Sequence, residues 1–260
     1  MEIPYFEVAA FARQPFAGNP AGVCLLEDDW LPDDVMQNIA AENNLAETAF
    51  AVPRGDRFDL RWMTPAIEVA LCGHATLATA HVLINHRDYK HDSIRFDSQS
   101  GELSVSRDNG RLVLDFPSQP VKPCRAPAKL GEALRATPHT VLKGRDYFAV
   151  LDNEREVAAV RPNFEMIASL DAQGVVVTAP GDQCDFVSRY FVPAAGILED
   201  PVTGSTHCTL IPYWSARLGK RSLIARQISP RGGELFCEDR EDRVRIGGHA
   251  VTYLKGTIEF

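Results

Sequence analysis

The chain has no pair of cysteines at metal-clip or redox spacing. Its six cysteines stand singly at positions 24, 72, 124, 184, 208 and 237. A chain of 260 residues buries enough surface without disulfide staples, so all six are expected as free thiols. There is no basic run either, and a net charge of −8 with a pI near 5.4 argues against nucleic acid or an anionic membrane as partner. No apolar window approaches the length of a membrane span. The opening MEIPYFEVAAF carries Glu2 where a signal peptide has its cationic n-region, so a cytoplasmic location is expected. Low-complexity tracts are absent. Gly18-Asn19-Pro20-Ala21-Gly22 lacks the lysine of a phosphate loop and runs into a strand, so no nucleotide cofactor is expected. His74 and His81 lie seven apart, not three or four, with no acidic or further histidine partner at helical spacing, so no metal is expected.

What the sequence does contain is organised around Leu71–His86, LCGHATLATAHVLINH. A Cys-Gly-His turn opens there into a helix that is apolar on nearly every side, which predicts burial inside a shell. The first turn of such a helix leaves backbone N–H groups unpaired and carries the positive end of the helix dipole. That makes an anion site beside Gly73 and His74. The plainer alternative is that Gly73 only turns the chain and His74 only caps it. A second copy bears on the choice. Arg61–Pro65 (RWMTP) is echoed by Arg189–Pro193 (RYFVP), 128 residues later, and each is followed by a glycine-led helix start, at Gly73 and at Gly204. Self-similarity of this kind is the sign of duplicated units. Two homologous halves are therefore expected, with both helix N-termini turned to one cleft.

The first half reads as strands around Tyr5–Phe11 and Ala21–Leu26, joined by a turn in which Asn19 either shapes the backbone or faces a ligand. A surface helix begins at Pro32-Asp33-Asp34 and stops at Asn43-Asn44, and short strands precede and follow the central helix. The four prolines of 117–129 suggest a linker. The second half then offers strands at Tyr147–Leu151, Gly174–Thr178 and Asp185–Val192, a helix near Asn163–Leu170, and the second buried helix, Gly204–Leu218, closed by Gly219. Gly232-Gly233 and Gly247-Gly248 read as tight turns between the closing strands. The predicted domains are 1–117, completed by a C-terminal strand near 250–260, and 118–249.

Several residues are candidates for chemistry. Glu47 sits among small and apolar neighbours at the mouth of a strand, where partial desolvation would move it toward the range of a neutral-pH acid/base; its alternative is a solvated loop glutamate. Asp200, held extended by Pro201, either orients a substrate atom or caps the turn. Thr203, Ser205 and Thr206 are cap residues whose hydroxyls can also meet a ligand. Cys72 stands at a helix start that favours a thiolate, but the corresponding position in the second half is Thr203, which offers a two-thiol racemase no partner.

FAGNPAGVCLL, NNLAETAF, RWMTPAIEVALCGHATLATA, GRDYFAVL and EDPVTGSTHCTL together resemble the PhzF family of phenazine biosynthesis-like isomerases, related in fold to diaminopimelate epimerase. The resemblance covers most of the chain. It implies an α/β fold of two pseudo-symmetric domains, each a curved, mostly antiparallel sheet wrapped around a central helix, and usually a homodimer. It also implies Glu47 as the acid/base and His74, Asp200 and Ser205 as further active-site residues. Asn19, Cys72, Gly73, Thr203, Gly204 and Thr206 would contact a small carboxylate-bearing substrate. Family members of known activity isomerise a dihydro-hydroxyanthranilate by moving a proton, without metal or cofactor. The chain is shorter than expected of a phenazine-making member, so the reaction type carries over better than the substrate. Racemisation through Cys72 and a non-enzymatic binding role on the same fold are the alternatives.

Overall fold

The computed structural model describes residues 1–260, which form two compact units: residues 1–116 with 247–260, and residues 117–246. The first unit contains β1 (Glu2–Ala10), β2 (Asn19–Leu25), α1 (Asp33–Asn43), β3 (Glu47–Arg54), β4 (Arg57–Met63), β5 (Glu68–Val69), α2 (Gly73–His86), β6 (Ser93–Ser98), β7 (Gly101–Asp108) and β8 (Arg111–Pro117). The second contains β9 (Lys122–Pro123), α3 (Leu130–Leu134), β10 (Thr140–Lys143), β11 (Tyr147–Val150), α4 (Glu154–Ala159), α5 (Phe164–Ala168) and β12 (Val175–Pro180). It continues through β13 (Phe186–Val192), β14 (Ile197–Asp200), α6 (Gly204–Leu218), β15 (Ser222–Gln227), β16 (Gly233–Arg240) and β17 (Arg243–Gly248). The last strand, β18 (Ala250–Glu259), returns to the first unit and pairs antiparallel with β1 from Glu2↔Glu259 to Ala10↔Ala250. No helix is long and apolar enough to cross a membrane.

The two units repeat one pairing scheme. In the first, β1–β2 is antiparallel, β2–β3 parallel, β3–β4 and β4–β5 antiparallel, β4–β6 parallel and β6–β7 antiparallel. In the second, β10–β11, β11–β12, β12–β13, β13–β14, β13–β15 and β15–β16 follow with the same sequence of directions. The RWMTP/RYFVP echo lies at equivalent strands of this scheme, β4 and β13. Its arginines do the same work in both: Arg61 makes a two-pronged bond to Glu68 through Nε and Nη2, at 2.8 and 2.7 Å. Arg189 grips Glu199 the same way, at 2.8 and 2.9 Å. Each fork staples the strand to the short strand that follows it.

Strand alternation separates two faces in each unit. On the outer face of the first, Phe50 and Val52 of β3 pack with Met36, Ile39 and Ala40 of α1. On the inner face α2 lies against β1, β2 and β3, buried from His74 to Ala80 and at Val82 and Leu83. In the second unit α3, α4 and α5 cover Val175, Val177 and Val187, while α6 occupies the inner face, with Trp214 donating to Thr178 Oγ1 at 3.0 Å. Helix ends follow their local chemistry: Asn44 closes α1 and Gly219 closes α6 in the left-handed region.

The structure corrects two expectations. Residues 117–129 are no free linker: Lys122–Pro123 forms β9 on β10, and Gln119 is tied to α6. Pro212 inside α6 has no N–H to give to the Cys208 carbonyl four residues back, and the Gln119 N–H fills that gap at 2.9 Å. Thr209 Oγ1 then donates to the Gln119 carbonyl at 2.9 Å. Gly247-Gly248 is not a turn but the end of β17, and glycine is required because a Cβ at Gly248 would run into the Phe11 ring. Three short helices also depart from the sequence reading. The segment expected as a helix over 163–170 narrows to α5, capped by Asn163, while α3 and α4 have five and six residues and show no periodicity long enough to read.

Candidate active site

Glu47 is the first residue of β3, and the parallel register Ala21↔Glu47 sets it beside the β2 residue two positions after Asn19. His74 is the second residue of α2, so the head of β3 and the start of α2 bring two residues 27 apart in sequence together. His74 Nε2 lies 3.2 Å from Glu47 Oε2, with the imidazole 6% and the carboxylate 16% exposed. The approach is off the N–H axis, a close contact and not an aligned hydrogen bond. At the other ring nitrogen, Asn19 Nδ2 stands 3.3 Å from Nδ1 and Cys72 Sγ 3.5 Å away. The ring also meets the Pro20 backbone, which offers only a carbonyl and so takes a proton from the imidazole. Gly18, with φ of +67°, makes the turn that delivers the fully buried Asn19 to this place.

Burial pushes the His74 imidazole down to about 4, against a weaker raising effect of the Pro20 backbone, so His74 is neutral at physiological pH. His81 and His207 are likewise pushed down to about 4 by burial. For each, the folded value lies below the 6.5 of the unfolded chain, so unfolding takes up protons between these limits. Their contribution is fully present above pH 6.5 and is lost as pH falls toward 4. Urea unfolding followed from pH 7 to pH 5 should show stability falling by about 1.4 kcal/mol per pH unit for each histidine fully engaged. Stability that stays level across that range would contradict the assignment.

The ligand atoms of Glu47, Cys72 and His74 lie within 4.8 Å of one another, a cluster invisible to the helical-spacing argument about His74 and His81. Sulfur and carboxylate approach opposite nitrogens of one imidazole, however. Carboxylate, thiol and imidazole can each carry a proton, and each can also ligate a metal ion.

Both central helices begin in the same unusual way. Cys72 and Thr203 are extended N-caps, neither gives a side-chain cap, and no acidic residue occupies either first turn. The threonines that might have capped fold back instead: Thr76 Oγ1 donates to the Cys72 carbonyl at 2.6 Å and Thr206 Oγ1 to the Thr203 carbonyl at 3.1 Å. At both starts, Gly73-His74 and Gly204-Ser205, the positive end of the helix dipole thus has no acidic residue of its own first turn beside it.

In the second unit Asp200, 8% exposed, accepts a hydrogen bond from Thr203 Oγ1. Gln227, which the sequence reading passed over, completes the turn. Its Oε1 takes the Thr203 N–H at 2.9 Å and its Nε2 donates to the Asp200 carbonyl at 2.7 Å and to Thr203 Oγ1 at 3.1 Å. Asp200 is thereby tied to the turn that enters α6. Ser205 is half-buried, with Arg145 Nη2 3.3 Å from its hydroxyl. At the head of β12, where the first unit has Glu47, stand Gly174 and Val175, which cannot carry a proton. A cavity of about 570 Å³ in this unit, lined by Arg135, Arg161 and Phe164 among others, contains none of the expected site residues.

The model of the phenazine biosynthesis-like proteins, PhzC-PhzF, matches residues 8–256. This chain belongs to the PhzF family. An uncharacterized isomerase of Pseudomonas aeruginosa is 52% identical over 259 residues, 99% of each chain. The crystal structure of a PhzF-family phenazine biosynthesis protein from Enterococcus faecalis superposes with a TM-score of 0.98 at 49% identity, covering the whole of both chains. A predicted epimerase of Pseudomonas aeruginosa, 19% identical, shares the fold with a TM-score of 0.73 over 99% of each chain. The PhzF-family protein described here is accordingly an enzyme of the isomerase class, with the α/β fold that PhzF proteins share with epimerases.

Proposed function

We propose that this PhzF-family protein is a cofactor-independent isomerase of a small carboxylate-bearing substrate, amino-acid-like or cyclic. Glu47 removes a proton from a carbon next to an electron-withdrawing group and returns it elsewhere on the same molecule. The observation that carries the reading is the Glu47–His74 contact, in which a largely buried carboxylate faces a neutral imidazole across 3.2 Å. A carboxylate so shielded keeps its basicity for the substrate, and His74 supports it without adding a competing positive charge. The uncapped start of α2 offers N–H dipoles to the negative charge that develops as the proton leaves. Moving a proton within one molecule needs no electron carrier. The second unit has Gly174 and Val175 in place of the glutamate, which supports a mechanism with one base and not two.

A second reading, racemisation assisted by the Cys72 thiol, has one observation in its favour, the 3.5 Å approach of Sγ to His74 Nδ1. Cys72→Ala separates the two. With Glu47 as the base, this variant keeps turnover within about fivefold of wild type, because the lost contact is a weak sulfur contact at a nitrogen that Asn19 also approaches. Loss of a hundredfold or more, measured as kcat on the substrate found, would favour thiol chemistry.

A further inference from the structure

Three arginines line one cavity of the second unit. This is the space of about 570 Å³ already noted, bounded by Arg135 after α3, Arg161 after α4 and Arg189 of β13. Phe164, Ile228 and Pro230 are among its apolar walls, and no acidic residue lines it. A volume of this size suits a small molecule. All the lining residues belong to the second unit, and none is among those assigned to the isomerase reaction.

The three guanidiniums are held in different ways. Arg189 gives Nε and Nη2 to the two oxygens of Glu199, which cancels its charge. Its Nη1 and the Nη1 of Arg161 both donate to the Val160 carbonyl, each at 3.0 Å, and Arg161 Nη1 also reaches the Ala158 carbonyl at 3.1 Å. Those carbonyls orient Arg161 and leave it cationic. Arg135 closes α3 in the left-handed region, at φ of +53°, and its side chain is exposed. Two positive charges without a carboxylate partner therefore share one cavity in a protein of net charge −8. Their mutual repulsion is relieved by a doubly charged anion between them. A phosphate monoester carries about −1.5 to −2 at neutral pH, and the guanidinium fork matches its oxygens two at a time. Phe164, packed edge-on against Phe191 with ring centroids 6.3 Å apart, joins Ile228 in a wall for an apolar body.

We propose that this cavity is a second ligand site, for a small organic phosphate monoester whose dianion is held by Arg135 and Arg161 and whose apolar body lies against Phe164 and Ile228. The test is calorimetric titration of the whole protein, in low-salt buffer free of phosphate, with phenyl phosphate, inorganic phosphate and phenol. Wild type should bind one phenyl phosphate per chain, at least fivefold tighter than inorganic phosphate and at least tenfold tighter than phenol. Arg135→Ala should weaken phenyl phosphate at least fivefold, and Arg135→Ala with Arg161→Gln should bring it down to the level of phenol. Glutamine at 161 keeps a donor for the α4 carbonyls. If the double variant loses its cooperative melt, Arg135→Glu, at an exposed position, takes its place with the same expectation. Arg221→Ala removes one positive charge elsewhere, from an exposed pair with Glu241, and should bind as wild type does. Glu47→Gln should do the same, because the site owes nothing to the isomerase residues. Binding that survives the double variant and Arg135→Glu overturns the proposal, as does a loss in Arg221→Ala equal to that in Arg135→Ala. So does a wild type that binds no phenyl phosphate at millimolar concentration, or binds it no better than inorganic phosphate.

Discussion

Glu47→Gln is expected to lower kcat by about a thousandfold while leaving substrate affinity within a few-fold, because a positioned general base contributes roughly 10²–10⁴ in rate. Glutamine keeps the length of the side chain and a hydrogen-bonding oxygen beside His74, so the head of β3 and the start of α2 stay packed as they are. It cannot accept a proton at neutral pH. The loss should therefore fall on kcat and not on KM, the pattern of an interaction made in the transition state. A variant that binds poorly but turns over normally would instead make Glu47 a binding residue.

The second large effect is on stability. Arg189→Met should cost about 3–5 kcal/mol, the usual loss when one partner of a buried pair is removed and the other is left uncompensated. Arg189 and Glu199 are 10% and 14% exposed, and Arg189 Nη1 also holds the carbonyls of Val157 and Val160 at the end of α4, at 3.3 and 3.0 Å. Its counterpart Arg61 is 19% exposed, its partner Glu68 is 24% exposed, and its further partner Asp33 stands in water at 80%. Arg61→Met should thus cost clearly less. Urea unfolding and amide exchange of β13 and β14 measure the difference. Equal losses in the two variants would show that the repeated fork contributes independently of its burial.

Much of this was legible in the chain before any coordinates. The RWMTP/RYFVP echo points to a duplicated architecture because a strand arginine and the helix start after it recur together, and the structure adds the reason in the matching forks to Glu68 and Glu199. The apolar faces of α2 and α6 are long enough to show as buried helices, whereas α3, α4 and α5 complete less than two turns each and leave no period to read. The docking of residues 117–119 escaped for a different reason. Four prolines suggest a loose segment, and nothing local says that Pro212, some ninety residues on, leaves a carbonyl for Gln119. At the site, Glu47 and His74 could be singled out one at a time, but their contact depends on strand register and on where a helix begins. Gln227 and Arg145 gave weaker signals. Glutamine in a strand is unremarkable, and the guanidinium acquires its partners only through the fold, which brings Asp146 of the β10–β11 turn to Tyr190 of β13.

The most direct test of the central claim follows solvent deuterium into the substrate's acidified carbon, by mass spectrometry, in wild type and Glu47→Gln. The account predicts incorporation by wild type on the timescale of turnover and none above background by Glu47→Gln, although that variant still binds the substrate. Exchange at the wild-type rate in Glu47→Gln would contradict it.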